Sequence, residues 1–466
     1  MDEQYLKRME KLIPDEMDQY INLLDSPLYQ GLRLNPLKTS TETLEKNLPF
    51  LKEKSPFAPD SWYVEGHYGN HAGHLTGQFY LQEPSASSAV EILDLKDGMN
   101  VLDLCAAPGS KSTQIAAKIP NGFLVCNELD SKRAQALLSN MERMGVENFL
   151  CTNMDGRDLC RQMPEFFDRI LVDAPCSGEG MMRKHDAASE KWSLENVLAC
   201  SARQKEILES AVSALKPGGQ LVYSTCTYAP EENEENVAWI LKQFPELKQL
   251  EISVPFGRKG IPVKGMDENK VCRIFPMDGG EGHFIARFEK TDQEFKNRKS
   301  NVKSLTSERA DPLVIQFLNE QIGHSFTDFH TEKINDTIKV YAMNHPFLRL
   351  KKGKILRQGI YLGDLIKKRF EPAHAFFLSQ TNAKDSKRKV DLNLDEMDHF
   401  MHGEQLNLTS ESKANSLSSG YVSVCSDGIP FGYGKKDPSR ITNKIPKGLR
   451  LPSGSHVMKP EDRTDH

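Results

Sequence analysis

The stretch VLDLCAAPGSKS, Val101–Ser112, decides the fold. Its first residues are a short apolar run, VLDL, of the kind that forms a strand covered on both faces. A loop of small residues follows, and then KSTQIAAKI, which has the apolar spacing of a helix. Strand, tight loop and helix together place a ligand at the carboxyl end of the first strand of an open sheet. The same alternation recurs downstream. GFLVCNE precedes SKRAQALLSNMERMG, NFLCTNMD follows, DRILVDAP precedes a helix around 194–215, and GGQLVYSTC precedes EENEENVAWILKQF. Apolar strands alternating with helices predict an α/β core, a doubly wound, Rossmann-like parallel sheet. GHFIARFEK (Gly282–Lys290) reads as a late strand.

The loop after the first strand lacks both G-x-G-x-x-G and G-x-x-x-x-G-K-[ST], so neither a dinucleotide nor a nucleoside triphosphate is indicated. Gly109 and the alanines permit close backbone approach, and the helix start favours an anionic group. Acids stand at three successive strand ends: Asp103, Glu128 and Asp155. An acid after the second strand can hold ribose hydroxyls, and one after the third can reach an adenine edge. Such a ligand contains adenosine without phosphates, and S-adenosyl-L-methionine fits.

Nine cysteines occur with no C-x-x-C pair, which is neither a disulfide framework nor a zinc ribbon. Most read as small core hydrophobes. Two stand at strand ends: Cys176 in DAPCSGEG (Asp173–Gly180) and Cys226 in YSTCTYAPEENEEN (Tyr223–Asn236). In a doubly wound sheet these two strands lie beside the first, so their ends share one cleft. A thiolate is a strong nucleophile, and its addition to C6 of cytosine makes C5 able to accept a methyl group. A second thiol can help release the product. Asp173 can hydrogen-bond the ring N3 and the exocyclic amine. The base must leave its stack, at a cost of a few kcal/mol.

The 466 residues suit several domains. Residues 1–75 read as a small α/β unit and 76–292 as the core. A polar linker, Glu294–Ser304, precedes a second α/β unit over 305–390. LNLTSESKANSLSSG (Leu406–Gly420) reads as a flexible linker, and 415–466 as a β-rich domain with Gly turns. No apolar run is long enough for a membrane span, and the N-terminus has no signal-peptide pattern, so a cytoplasmic location without membrane contact is expected. Net charge is −5, but residues 291–466 carry +6 and 351–390 alone +8, a candidate polyanion footprint.

With these residues in place, the chain resembles the Sun (Fmu-like) family of RNA cytosine-C5 methyltransferases. The resemblance rests on RLNPLK (Arg33–Lys38), YLQEPSASSAV, DLCAAPGSK, NELDSKR, DAPCSGEG, YSTCTYAPEENE and FPMDGGEGHFIARF. It implies that Cys226 is the nucleophile and that Cys176 assists release. It implies further that Cys105, Ala106, Ala107, Pro108, Gly109, Ser110, Lys111, Glu128, Arg133, Asp155 and Asp173 hold the cofactor. Ser110 departs from the glycine often found there. GIYLGDLIKKRFEPAHAF and GYVSVCSDGIPFGYGK resemble the RsmF-like branch, and the latter a PUA-like RNA-binding fold. That implies RNA as partner, 16S rRNA of the small ribosomal subunit, with no obligate protein partner.

Arg33, Asn35 and Lys38 are expected RNA contacts. His67, His71 and His74 have an H-x3-H-x2-H spacing without a fourth ligand, so no metal is expected. The acids of EENEEN suit a helix N-terminus. Rival readings are a tRNA target, a DNA cytosine methyltransferase in which the Cys176 position attacks, and a non-catalytic RNA-binding assembly factor.

Overall fold

A computed structural model describes residues 2–184, 192–291, 302–410 and 412–458. The N-terminal unit opens with helix α1 (Glu3–Leu12), whose first turn is capped by the Asp2 carboxylate accepting from the amides of Gln4 and Tyr5. Three antiparallel strands follow, β1 (Gln30–Leu34), β2 (Ser61–Val64) and β3 (Phe79–Gln82), in the order β2-β1-β3. Leu32, Leu34, Trp62, Val64 and Phe79 form a small core of their own on one side of this sheet.

The central sheet begins with β4 (Asn100–Asp103), helix α2 (Ser110–Lys118), β5 (Phe123–Asn127), helix α3 (Ser131–Arg143), β6 (Phe149–Asn153) and helix α4 (Gly156–Gln162). It continues with β7 (Phe167–Asp173), helix α5 (Leu194–Ala214), β8 (Leu215–Thr225), helix α6 (Glu234–Gln243), β9 (Leu247–Gln249), β10 (Val271–Ile274) and β11 (His283–Lys290). β8, β7, β4, β5 and β6 are parallel in that order. β11 pairs antiparallel with β8, and β10 and β9 pair with β11. Successive side chains of a strand face opposite sides, and here both sides are apolar. Leu102, Val125, Leu150, Ile170 and Val172 pack under one layer of helices; Val101, Leu124, Cys126, Cys151 and Leu171 pack under the other. Burying each of the larger of these contributes about 1.5–3 kcal/mol, so the parallel strands are fixed from both faces.

Two features depart from the sequence reading. β8 starts directly after α5 and takes in Leu215, Lys216 and Pro217 ahead of GGQLVYSTC, the strand read from the sequence; the register against β7 shifts there, and Gly218 takes the positive φ. The second concerns the C-terminal half. Short β12 (Lys303–Ser304) pairs with a later strand, helix α7 (Pro312–Gln321) follows, and β13 (Asp328–Ile334) and β14 (Thr337–Met343) form a hairpin. After β15 (Leu348–Arg349), the partner of β12, comes β16 (Lys354–Gln358). β16 leaves this unit and pairs antiparallel with β6, extending the central sheet to the order β10-β11-β8-β7-β4-β5-β6-β16. β17 (Ile360–Ile366) and β18 (Arg369–Pro372) then complete the sheet β13-β14-β17-β18.

The last sheet has the order β19-β21-β22-β23-β20, from β19 (Lys389–Asp391), β20 (Leu406–Asn407), β21 (Gly420–Ser426), β22 (Ile429–Lys436) and β23 (Arg440–Asn443). The stretch Leu406–Gly420, read above as a linker, is part of this unit. Leu406, Leu408, Ala414 and Leu417 pack with Val422, Val424, Phe431 and Ile441, so a few small and apolar side chains suffice to hold it. Most of the linker expected at Glu294–Ser304 lies outside the described residues, as does the end of the β-rich segment beyond 458. Among the described residues no helix is long and apolar enough to cross a membrane.

Candidate active site

The carboxyl ends of β4 to β8 open on one cleft. On its cofactor side, the loop Cys105–Lys111 is held by its backbone. The Ala106 amide donates to the Asn127 carbonyl at 2.8 Å, Arg133 Nη2 donates to the Ala107 carbonyl at 2.7 Å, and Asn140 Nδ2 donates to the Pro108 carbonyl at 2.9 Å. Arg33 Nη2 donates to the Ser110 carbonyl at 3.0 Å. Asn127 was not singled out in the sequence. Its Nδ2 donates to the carbonyls of Leu104 and Met154 and its Oδ1 accepts from Thr152, so one buried amide ties the ends of β4, β5 and β6 together. Gly109 starts α2 at φ 109°, where an added Cβ would lie 3.1 Å from Leu137 Cδ1. A left-handed backbone costs an ordinary residue about 1–2 kcal/mol. Gly109→Ala therefore weakens cofactor binding about tenfold, to be read by calorimetric titration with unchanged secondary structure as the control.

The acids divide by environment. Asp103 is buried; Ser112 Oγ donates to its Oδ2 at 2.6 Å, while Oδ1 has no partner. Burial pushes its carboxyl up to about 7. Glu128 is buried and accepts the Asp130 amide at 3.0 Å, with Arg133 Nη1 3.6 Å away. Asp155 caps α4 by accepting from the Arg157 amide and is also paired with the Arg157 side chain at 2.7 Å; the hydrogen bonds from Arg157 hold it below the ordinary range. Asp173, at the end of β7, accepts from Lys111 Nζ at 2.8 Å and from Ser224 Oγ at 2.7 Å. Burial raises its carboxyl, but Lys111, His283 and Ser224 outweigh that and leave it below its usual value, hence ionised.

On the other side, the loops after β7 and β8 bring Cys176 Sγ and Cys226 Sγ to 3.3 Å, both as free thiols. The loops are cross-linked: Gly180 donates its amide to the Cys226 carbonyl at 3.0 Å, and Ser177 Oγ meets Thr227 Oγ1 at 2.8 Å. The hydrogen bond from Cys176 lowers the Cys226 thiol against the burial that raises it, and Lys111 assists. The same bond, with burial, pushes Cys176 well up. The two thiols are thus shifted in opposite directions, Cys226 down and Cys176 up, and either sulfur can donate in the contact between them.

Three expected RNA contacts are corrected. Arg33 and Asn35 are fully buried, and Lys38 spends its ammonium internally. Arg33 Nη2 also donates to Thr113 Oγ1, Asn35 Nδ2 donates to the carbonyls of Gly77 and Met144, and Lys38 Nζ donates to those of Thr76 and Arg143. They join the N-terminal unit to α2 and α3, and Arg33 Nε and Nη1, which have no hydrogen-bond partner, are buried away from the surface. EENEEN is likewise more than a helix start. Glu231 pairs with Arg8 at 2.6 Å, Glu232 accepts from Ser177 and Gln204, and Glu234 is buried against Arg273. His71 accepts the Gly73 amide, and His71 and His74 both pack on Phe79. Among the described residues no group of His, Cys, Asp and Glu could hold a metal ion.

Comparison with known proteins agrees with this architecture. Residues 90–289 match the family described as 16S rRNA methyltransferase RsmB/F, 1–84 the N-terminal domain of 16S rRNA methyltransferase RsmF, 316–379 its first C-terminal domain and 387–451 its PUA domain. The chain is 32% identical over 467 residues to the ribosomal RNA small subunit methyltransferase F of Vibrio vulnificus, covering 96% of this chain and 97% of the relative. It is 32% identical over 478 residues to that of Pectobacterium carotovorum, covering 96% and 95%. A methyltransferase homologue from Pyrococcus horikoshii superimposes with a TM-score of 0.56 at 29% identity, over 62% of this chain and 95% of that one. The parallel sheet, the loop after β4 and a likeness running nearly end to end lead to one assignment: the chain belongs to the RsmB/F family of S-adenosylmethionine-dependent 16S rRNA methyltransferases.

Proposed function

We propose that this enzyme forms 5-methylcytidine in 16S rRNA, with Cys226 as nucleophile and Cys176 as the group that releases the product. The single observation that supports the assignment is the pair of free thiols 3.3 Å apart at the ends of β7 and β8. Its relatives are named for the ribosomal small subunit, which supports that RNA over tRNA and a place of work in the cytoplasm.

The residues present fit S-adenosylmethionine. The unpartnered Asp103 Oδ1 suits a cationic donor such as its amine, the Cys105–Lys111 loop lets a ligand approach the backbone, Glu128 suits ribose hydroxyls, and Asp155 and Arg133 stand at the rim. When bound, the cofactor supplies an electrophilic methyl group and leaves as a neutral thioether. The rest is the protein's own work. The Cys226 thiolate adds to C6, forming the S–C6 bond and moving the C5–C6 electron pair to C5. Ionised Asp173, held by Lys111 and Ser224, accepts from the exocyclic amine and fixes the ring. After methylation the C5 proton passes to solvent, its C–H electron pair re-forms the C5–C6 double bond, and the S–C6 bond breaks with its electron pair returning to Cys226, beside the Cys176 thiol that stabilises the departing thiolate.

Ionised Asp103 binds a cation better than its protonated form does. Cofactor affinity is therefore expected to rise as pH rises through about 7, and Asp103→Asn to lose that rise. A charged hydrogen bond of about 1.5–3 kcal/mol corresponds to a roughly 10- to 150-fold weaker Kd in the variant. Titrations of the wild type and Asp103→Asn between about pH 6 and pH 8 give the answer, because Glu232, which burial also pushes up to about 7, is common to both; a pH-independent wild type would remove Asp103 from the site.

The test of the mechanism is a trap. Cys176→Ala, incubated with S-adenosylmethionine and small subunits from cells lacking the enzyme, should accumulate a protein–RNA band on denaturing gels, and sequencing the trapped RNA names the cytidine. A band that requires Cys176 instead would reverse the two roles.

A further inference from the structure

Behind the two thiols lies a buried polar group that the chemistry above does not use. Glu232 is fully buried, seven residues beyond the end of β8 and two before α6 begins. Its Oε2 accepts from the Ser177 amide at 3.1 Å and from Gln204 Nε2 at 2.7 Å. Gln204, on α5, uses the same Nε2 to hold the Pro175 carbonyl at 3.0 Å. The residues on either side of Cys176 are thus both gripped, one through its amide and one through its carbonyl. Gln204 is itself fixed, because its Oε1 accepts from Tyr223 Oη at 3.0 Å and Asn236 Nδ2 at 2.8 Å. Asn236 Nδ2 also donates to the Glu232 carbonyl, which shares the single Tyr223 hydroxyl proton with Gln204 Oε1. A carboxyl removed from water is retained at a cost unless its contacts are used, and burial pushes this one up to about 7.

We propose that Glu232 and Gln204 form a brace that positions Cys176 against Cys226 for the release step, a role that rests on the assignment of Cys226 as nucleophile and Cys176 as releasing group. They are positioning residues: they grip the backbone around Cys176 while Cys226 hangs from the neighbouring strand β8. With the brace removed, attack by Cys226 and methylation proceed, but the displaced Cys176 thiol no longer meets the departing sulfur. The methylated adduct then persists.

The experiment compares Glu232→Ala, Gln204→Ala and Glu232→Gln in the full-length enzyme with S-adenosylmethionine and unmethylated small subunits. It follows turnover, cofactor affinity and the covalent protein–RNA band. Misplacement of a working group by about 1 Å can cost on the order of 100-fold, so both alanine variants should lose between about 10- and 100-fold in turnover. They should also accumulate the band and keep the wild-type Kd for S-adenosylmethionine. Glu232→Gln keeps an amide oxygen able to accept from both Ser177 and Gln204, and should restore turnover and clear the band. Wild-type turnover without a band in Glu232→Ala would overturn the brace. So would loss of cofactor binding in Glu232→Ala and Glu232→Gln alike, because the acid would then serve the fold. Combining Glu232→Ala with Cys226→Ala separates the two layers: the band should vanish, and a band that survives would topple the nucleophile assignment and the brace with it.

Discussion

Cys226→Ala should abolish turnover, with a loss on the order of 10⁴-fold or more, while cofactor affinity stays at the wild-type value. The size follows from what cytosine lacks. Its C5 is too electron-poor to take a methyl group until a nucleophile has added at C6, and no other described side chain in the cleft offers both the polarity and the place. Cys176 stands 3.3 Å away, but its thiol is pushed well up by Cys226 and by burial. Cys226→Ser should fail almost as completely, because a hydroxyl at this position has no nearby base to ionise it. Radiolabelled methyl transfer gives the rate and calorimetry the affinity. Full turnover in Cys226→Ala would end the covalent mechanism, whereas loss of cofactor binding would place the thiol in the binding site instead.

The second large effect is on stability. Arg273→Ala should destabilise the central unit by about 3–5 kcal/mol, the cost of leaving a buried carboxylate unpaired. Arg273 Nε and Nη2 reach the two Glu234 oxygens at 2.6 and 2.5 Å, and both side chains are almost wholly shielded from water. Nη1 donates to the Tyr228 carbonyl at 2.9 Å, two residues beyond Cys226, so the same cation anchors the β8 loop. Urea unfolding followed through Trp239, which lies on α6 with Glu234, should show a lowered midpoint. The double replacement Arg273→Met with Glu234→Leu should recover much of the loss, since removing both charges removes the desolvation cost as well. An unchanged midpoint in Arg273→Ala would mean that water reaches Glu234.

The parallel sheet and its cleft were legible because each strand is a continuous apolar run and each chemically active residue sits at a strand end, where chain order and spatial order coincide. Cys176, Cys226, Asp173 and Glu128 are of this kind. What escaped was everything defined by contacts between distant segments. Asn127 at the end of β5, Gln204 on α5 and Glu232 ahead of α6 are polar residues with no mark in the sequence, and only the packed structure shows that each is buried and used. Arg33, Asn35 and Lys38 were misread for the same reason: polarity suggested a surface, while their side chains turn inward to backbone carbonyls 38 to 109 residues away. β16 escaped because KILRQ has no mark that distinguishes a strand of its own unit from one lent to another.

That loan matters for how the protein can be divided. β6 would be the bare margin of the catalytic sheet if the chain stopped at Lys290, presenting a row of unpaired amides and carbonyls from Leu150 to Asn153. Exposed margins of this kind recruit other chains. A fragment holding every residue of the reaction would therefore be prone to self-association, and separate expression of the two halves should succeed only when residues 354–358 are supplied to the first. The catalytic and C-terminal halves are in this sense a single inheritable piece, unable to be shuffled independently without a replacement for one five-residue strand.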